Sequence, residues 1–116
     1  MIDGHCHLDL SFASCQESLE FLYQETQKAG VEAVVLLNIP GPVFGGQQGF
    51  SNEEVLYAAP QFQGCFHVFP AIHPHDHRAL SFIKQYKEQG AAGIKLHPRI
   101  HQYSIGSPEC LELIQA

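Results

Sequence analysis

The sequence has few charged residues and no long apolar run, and each absence excludes a class of protein. Charged side chains make up 16% of the 116 residues, and six Lys and Arg face twelve Asp and Glu. The basic residues form no cluster that could follow a phosphate backbone, so the charge disfavours nucleic acid as a surface-bound partner, while a nucleotide substrate in a metal site stays open. No apolar run approaches the roughly 18 residues that span a bilayer, and no signal-like segment opens the chain. We therefore expect a cytoplasmic protein.

The spacing of the cysteines and the length of the chain further restrict the class of protein. The four cysteines include no Cys-x-x-Cys pair, so we expect reduced thiols rather than a disulfide framework. An apolar fraction of 45% in 116 residues predicts one globular domain of modest size. Eight histidines are many for this length, which indicates a metal site or chemistry near neutral pH.

Apolar runs alternate with helix-like segments along the chain. This order predicts an α/β fold with a parallel sheet, built from about four strand-helix units with right-handed crossovers. A flexible loop including Gly45 and Gly46 is expected after the second strand. The predicted strands cover 2–9, 31–39, 65–72 and 92–97, and the predicted helices cover 16–29, 52–59, 78–89 and a last segment from 108.

The opening stretch, Ile2 to Asp9, carries two histidines two residues apart. Alternate side chains of a strand share a face, so we expect His5 and His7 to point to the same side, together with Asp3. Two neutral imidazoles at this separation can hold one metal ion, most often Zn²⁺. The alternative is a half-buried strand that carries two histidines by chance and packs Cys6 as a small apolar residue.

Most other histidines follow the ends of predicted strands. Those ends meet at the sheet edge that carries active sites in α/β proteins, so seven of the eight histidines are expected there. His73 could contact substrate, whereas His75 and His77 are interpreted as a solvated turn. His67 lies in mid-strand and is predicted to be a core histidine. The strand-end histidines beyond the first pair are His73, His75, His77, His97 and His101.

A lysine shares the fourth predicted strand with His97. Lys95 in a dry interior would favour its neutral amine, which can react with CO₂ to form a carbamate that bridges two metal ions. The alternative is a structural ion pair with Asp3 or Asp9. Arg99, just past this strand, could hold an anionic substrate group or lie at the surface.

Three segments resemble motifs of the amidohydrolase superfamily of metal-dependent hydrolases. Residues 1–9, Met-Ile-Asp-Gly-His-Cys-His-Leu-Asp, resemble the first-strand His-x-His motif of this superfamily. The TatD-like deoxyribonuclease branch of the superfamily has the same motif. The third-strand end of TatD-like members resembles residues 71–75, Ala-Ile-His-Pro-His. Residues 93–98, Gly-Ile-Lys-Leu-His-Pro, resemble the fourth-strand segment of the amidohydrolase-related family. They also resemble the segment around the carboxylated lysine of dihydroorotases. Lys95 stands where a TatD-like enzyme has Glu, which argues against that branch.

The resemblance implies a TIM-type (β/α)₈ barrel with one or two divalent metal ions, most often Zn²⁺, and hydrolysis by a metal-activated water. It implies His5 and His7 as metal ligands, and Lys95 as a bridging ligand if the dihydroorotase-like pattern applies. The expected substrates are cyclic amides, lactones or small carboxylates. The candidate substrate contacts are His73, His97 and Arg99.

Residues 1–116 supply about half of such a barrel, which needs about 250 residues. We therefore expect a single domain equal to the N-terminal half of the hydrolase, a truncated product whose later metal ligands and general base come from elsewhere. Whether the chain alone is an enzyme stays open. The rival hypothesis is a catalytically incomplete half-barrel that self-associates or binds a partner completing the barrel.

Overall fold

A computed structural model of the chain describes residues 1–43 and 46–116. The strands are β1 (Ile2–Cys6), β2 (Ala33–Asn38), β3 (Gly41–Pro42), β4 (Gln48–Gly49) and β5 (Phe66–Pro70). The helices are α1 (Cys15–Ala29), α2 (Asn52–Ala58), α3 (Ala79–Glu88), α4 (Pro98–His101) and α5 (Pro108–Gln115), with a 3₁₀ turn at Ala59–Phe62. Strands β1, β2 and β5 form a parallel sheet in that order, so the predicted α/β class is confirmed.

The predicted fourth strand, 92–97, is reduced to a single parallel bridge between Ala71 and Lys95. The Lys95 N–H donates to the Pro70 carbonyl, and the Lys95 carbonyl accepts from the Ile72 N–H. Continuing this ladder in either direction needs N–H donors at positions 70 and 74. Both positions are prolines, which have no N–H, so the segment runs beside β5 without becoming a regular strand.

Serine caps begin three of the helices. The Ser14 side chain accepts a hydrogen bond from the Glu17 N–H at the start of α1, as the sequence predicts. Ser107 caps α5 in the same way, with Pro108 at the first helical position. Ser51 caps α2, and the chain then passes Pro60 in a 3₁₀ turn instead of stopping there. These starts are local, because the serine oxygen satisfies an N–H that has no partner within the helix.

The helices cover one face of the sheet and leave the other partly open. On α3, helical spacing predicts that Leu80, Ile83 and Tyr86 face the sheet. Ala79 and Tyr86 are buried, but Leu80 is exposed, so the prediction for Leu80 was wrong. His67 is exposed on the open face, so the prediction of a core histidine was also wrong. The residues under the helices form the main core, and its most buried members include Leu19, Val34, Leu36, Val55 and Leu113.

A register shift in β1 changes which side chains share its faces. Asp3 pairs with Val34 and Cys6 with Leu36, so three steps along β1 correspond to two along β2. Paired residues lie on the same side of a sheet. Asp3 therefore takes the side of the buried Val34, and the prediction that it shares a face with His5 was wrong. The extra residue of the bulge breaks the two-residue alternation on which that prediction rested.

The connection after β2 contains a short antiparallel hairpin of β3 and β4 where a loop was predicted. A side chain at Gly49 would collide with the Ile39 backbone carbonyl, so only glycine permits this close approach. The predicted flexible pair includes Gly45, which lies outside the described residues. Across residues 1–43 and 46–116, none of the helices has the length and apolar character that a bilayer crossing requires.

Candidate metal centre

Two imidazoles converge at the C-terminal end of β1. The Nε2 atoms of His5 and His7 lie 3.1 Å apart, and the two ring centroids are separated by 5.0 Å. Two nitrogens bound to one tetrahedral Zn²⁺ at about 2.0 to 2.1 Å stand about 3.3 Å from each other. The pair therefore has the spacing of two ligands on a common metal ion.

The orientation of His7 is set by a backbone carbonyl of the neighbouring strand. Its Nδ1 lies 2.9 Å from the Leu37 oxygen, and a carbonyl can only accept, so Nδ1 carries the proton and donates. In the neutral ring, Nε2 then keeps its lone pair and points toward His5. A hydrogen bond of this kind is the usual support of a metal-binding histidine.

Further ligands are not grouped with this pair in the described part of the chain. Within residues 1–43 and 46–116, no set of three or more His, Cys, Asp or Glu is arranged to hold a metal ion. Asp3 accepts a hydrogen bond from the His5 backbone N–H at 3.0 Å, so its carboxylate stabilises the strand end. These residues thus offer two imidazole nitrogens, half of the four donors that a tetrahedral zinc site requires.

A cavity of about 360 Å³ opens beside His7. This volume is near the lower end of the range for small-molecule sites. Most of its wall is apolar, and its polar groups include the imidazoles of His7 and His97. Its lining also includes Leu8, Asp9, Leu10, Leu37, Asn38, Ile39, Val43, Gln47 and Ile100.

His97 borders this cavity and caps the short helix α4. Its Nδ1 accepts a hydrogen bond from the Ile100 N–H at 3.2 Å. Burial lowers the pKa of the His97 imidazole below its usual value, and the charges of Lys95, His7 and Arg99 lower it further. His97 is therefore neutral at pH 7, with its ring against the space next to the histidine pair.

Lys95 and Arg99 lie near His97 but have different environments. Lys95 is partly buried, and in the described ranges it forms no ion pair with Asp3 or Asp9 within 4.0 Å. The structure therefore contradicts the ion-pair alternative for this lysine. Arg99 is exposed and is not part of the cavity lining, although its positive charge contributes to lowering the pKa of His97.

His73 belongs to a second cluster of rings, separate from the histidine pair. It stacks on His101, with ring centroids 4.8 Å apart and planes 12° from parallel, and Tyr103 lies 5.8 Å away. His73 lines another cavity of about 320 Å³, next to Arg78. The structure thus places His5 beside His7, and His7 and His97 at one cavity, whereas His73 lies in a different cluster.

Two buried polar atoms in the second cluster have no hydrogen bond of regular geometry within residues 1–43 and 46–116, although the His97 backbone is close enough to the Tyr103 hydroxyl to lower its pKa. They are Nδ1 of His101 and the hydroxyl oxygen of Tyr103. Burial lowers the pKa of His101, with a smaller contribution from His73, and burial raises the pKa of Tyr103. Both shifts favour the neutral forms of these side chains. Tyr103 was not among the residues that the sequence indicated, because only the fold places it beside the histidines.

The turn before α3 is largely as the sequence predicts. His77 is 91% exposed at its side chain, in agreement with a solvated turn. His75 is half-exposed and lies 3.6 Å from the Glu109 carboxylate. Asp76 accepts hydrogen bonds from the backbone and side chain of Arg78, which lower its pKa to about 2. These contacts organise the turn and add no group to the histidine pair.

Two buried asparagines hold the strand ends that carry the site. The Asn38 side-chain amide donates to the Asn52 oxygen at 2.9 Å and to the Phe50 carbonyl at 3.0 Å. Asn52 in turn donates to the Ala71 carbonyl, at the end of β5. Because Asn38 follows Leu37 directly, this network anchors the peptide whose carbonyl orients His7. An asparagine closing an apolar run was the only signal of it in the sequence.

Comparison of this chain with protein-family models, with curated proteins and with solved structures finds no match. The resemblance to amidohydrolases therefore rests on the three motifs and enters below as a proposal.

Proposed function

We propose that this chain is part of a metal-dependent hydrolase related to the amidohydrolase superfamily, in which His5 and His7 bind a divalent metal ion, most often Zn²⁺. The observation that carries the proposal is the 3.1 Å approach of their Nε2 atoms, with Nδ1 of His7 held by the Leu37 carbonyl. A divalent metal ion held by these two imidazoles would lower the pKa of a bound water to about 7 and polarise the scissile bond.

The side chains around the pair support a small substrate with an apolar body. The cavity beside His7 is about 360 Å³ and mostly apolar, which suits a cyclic amide, a lactone or a small carboxylate. His97, neutral and at the cavity wall, is a candidate for a hydrogen bond to the substrate. Lys95 and Arg99 make the surroundings of His97 positive, so we place the carbonyl or carboxylate end of the substrate on that side.

The sheet supports, in coarse form, the barrel that the resemblance implies. Three parallel strands and the bridged segment 92–97 follow one another across the sheet in chain order, as consecutive strands of a (β/α) barrel do. We propose that further strands complete the barrel and supply the remaining metal ligands and the proton acceptor. Lys95, on the segment that bridges to Ala71, is the candidate for a second, bridging ligand.

Zinc titration of the chain tests the metal site directly. Isothermal calorimetry of the chain should show about one Zn²⁺ per chain, and a His5→Ala, His7→Ala double variant should weaken binding by about 100-fold or more. His77→Ala is the matched control, because it removes an exposed imidazole in a turn outside the pair. Equal zinc affinity in the double variant and the control would refute the proposal.

A non-catalytic half-barrel is the second candidate function. It is favoured by one observation, the exposure of nearly the whole of β1, which leaves a strand edge ready for a protein partner. Dialysis separates the two candidates. Zn²⁺ that stays bound in stoichiometric amount supports the hydrolase, whereas a folded chain that loses it supports the module.

A further inference from the structure

The histidine pair at the end of β1 lies at the molecular surface. Both His5 and His7 are exposed, and within β1 only Cys6 is partly buried. In the part of the chain that the structure describes, β1 pairs with β2 alone, so no strand covers its other side. The two imidazoles are therefore accessible to a second macromolecule as well as to small solutes.

The pair offers half of the coordination that zinc requires. The two Nε2 atoms lie 3.1 Å apart, close to the spacing of two ligands on one tetrahedral ion. Within residues 1–43 and 46–116, no third His, Cys, Asp or Glu is grouped with them to hold a metal ion. A zinc ion bound by this pair keeps two open positions, whereas a structural zinc site has protein ligands at all four.

The hydrogen bonds of the two rings orient them to act together. Nδ1 of His7 donates to the Leu37 carbonyl, so in the neutral ring its Nε2 accepts, and Nε2 of His5 donates to it. A metal ion that enters between the two Nε2 atoms replaces this bond and moves the His5 proton to Nδ1. Neither ring changes its charge, and His7 keeps its hydrogen bond to β2, the usual support of a metal ligand.

The charges around the pair attract a cation and oppose a contact between copies that lacks one. Asp3 and Asp9 lie within two residues of the histidines and are both exposed. The whole chain carries a formal net charge of -6, so two copies repel each other. A divalent cation held at the contact neutralises part of this repulsion, because it lies between surfaces of opposite sign to its own.

We propose that one zinc ion joins two copies of this chain through His5 and His7 of each copy. The second copy is the partner because it carries the identical pair, and a two-fold axis through the ion relates the two pairs. A tetrahedral shell suits this arrangement, since its four ligands divide into two pairs in perpendicular planes. The inference rests on the zinc binding of the proposed function and is independent of hydrolysis.

The ratio of zinc to chain determines which species forms. At about half an equivalent of zinc, each ion is shared by two copies, and mass action favours the dimer. When zinc exceeds the chain, each histidine pair takes its own ion, water fills the open positions, and the dimer dissociates. The final stoichiometry is then about one zinc per chain, as in the proposed function.

Sedimentation velocity of the whole chain across a zinc titration tests the shared ion. We expect a monomer in EDTA, a dimer fraction that is largest near about half an equivalent of Zn²⁺, and a return toward monomer in excess zinc. Calorimetry of the same samples should show a first step that ends near about 0.5 zinc per chain. The nitrogen NMR signals of His5 should show its proton on Nδ1 in the dimer.

Single variants separate the shared ion from other contacts. His5→Ala and His7→Ala each leave one imidazole per copy, so two copies offer two ligands in place of four. Each variant should lower the dimer affinity at half an equivalent of zinc at least about tenfold. His77→Ala is the matched control, because it removes an imidazole that is 91% exposed at its side chain and lies outside the pair. Circular dichroism checks that the variants keep the fold.

Each outcome bears on a different part of the proposal. A monomer at every zinc ratio, with one zinc bound per chain, would refute the shared ion and leave the metal site of the proposed function intact. Absence of zinc binding would refute both. A dimer that persists in EDTA, or in the His5→Ala and His7→Ala variants, would overturn the inference and assign the contact to the open edge of β1. A zinc-dependent dimer that both variants weaken and His77→Ala preserves supports the shared ion.

Discussion

Removing the amide of Asn38 tests how the strand ends support the candidate site. In the wild-type chain this side chain is 4% exposed and donates to the Phe50 carbonyl and to the Asn52 oxygen. Asn38→Ala leaves both acceptors without their donor in a buried environment. Each such group costs about 1 to 3 kcal/mol, so we expect the free energy of unfolding to fall by about 2 to 4 kcal/mol.

The same variant should weaken zinc binding through the backbone. Asn38 anchors the peptide that follows Leu37, and the Leu37 carbonyl holds Nδ1 of His7 at 2.9 Å. Loss of such support typically costs about 10-fold to 100-fold in metal affinity. The nitrogen NMR signals of His7 give an independent readout, because loss of the hydrogen bond would let the proton exchange between the two ring nitrogens.

Urea unfolding followed by circular dichroism measures the stability change, and zinc titration at low urea measures the affinity. Gln24→Ala on the exposed side of α1 is the control for removing a side-chain amide that has no buried partner. A stability loss below about 0.5 kcal/mol, equal to that of the control, would refute the role of the asparagine network. An unchanged zinc affinity together with the expected stability loss would show that the asparagine network stabilises the fold but does not support zinc binding.

Three further predictions concern the turn, the sheet and a helix start. The Arg78 contacts hold the pKa of Asp76 at about 2, well below its value in the unfolded chain. The stabilisation from these contacts is therefore complete above about pH 4 and is lost as the pH falls toward 2. Asp76→Asn should remove this contribution to the loss of stability at low pH, as measured by unfolding curves. Gly93→Ala would place its Cβ 2.5 Å from the Phe69 ring and should cost about 1 to 3 kcal/mol, and a Phe69→Leu second change should recover part of that loss in thermal unfolding. Ser14→Ala should lower the free energy of unfolding by about 1 kcal/mol, whereas Ser14→Asp, which can still cap α1, should not.

Local chemistry explains the parts of the fold that could be predicted. The serine at the start of α1 and the glycine after its end, Gly30 with φ of 73°, determine that helix from within a few residues. The convergence of His5 and His7 also follows from local geometry, because alternate residues of an extended chain share a side. Apolar runs alternating with helices were enough to predict the parallel α/β arrangement.

Register between distant segments explains the parts that could not be predicted. Pro70 and Pro74 end the fourth strand only because the hydrogen-bond ladder requires an N–H donor at those two positions, which proline lacks. Asp3 changes face because β1 takes a bulge against β2. Neither effect can be deduced from one segment alone, since each depends on which residue of another strand lies opposite.

By itself, then, the sequence determined the limits of α1, α2 and α3 to within a residue or two, the start of α5, the class of fold and the pair of imidazoles at the end of β1, but not the short helix α4. The tertiary structure decided which groups surround that pair: the Leu37 carbonyl and His97 lie beside it, while His73 stacks on His101 elsewhere. The physical reason is the distance along the chain over which each interaction acts. Caps and strand alternation act over a few residues, whereas the partner of a side chain across the sheet depends on packing and pairing over the whole domain.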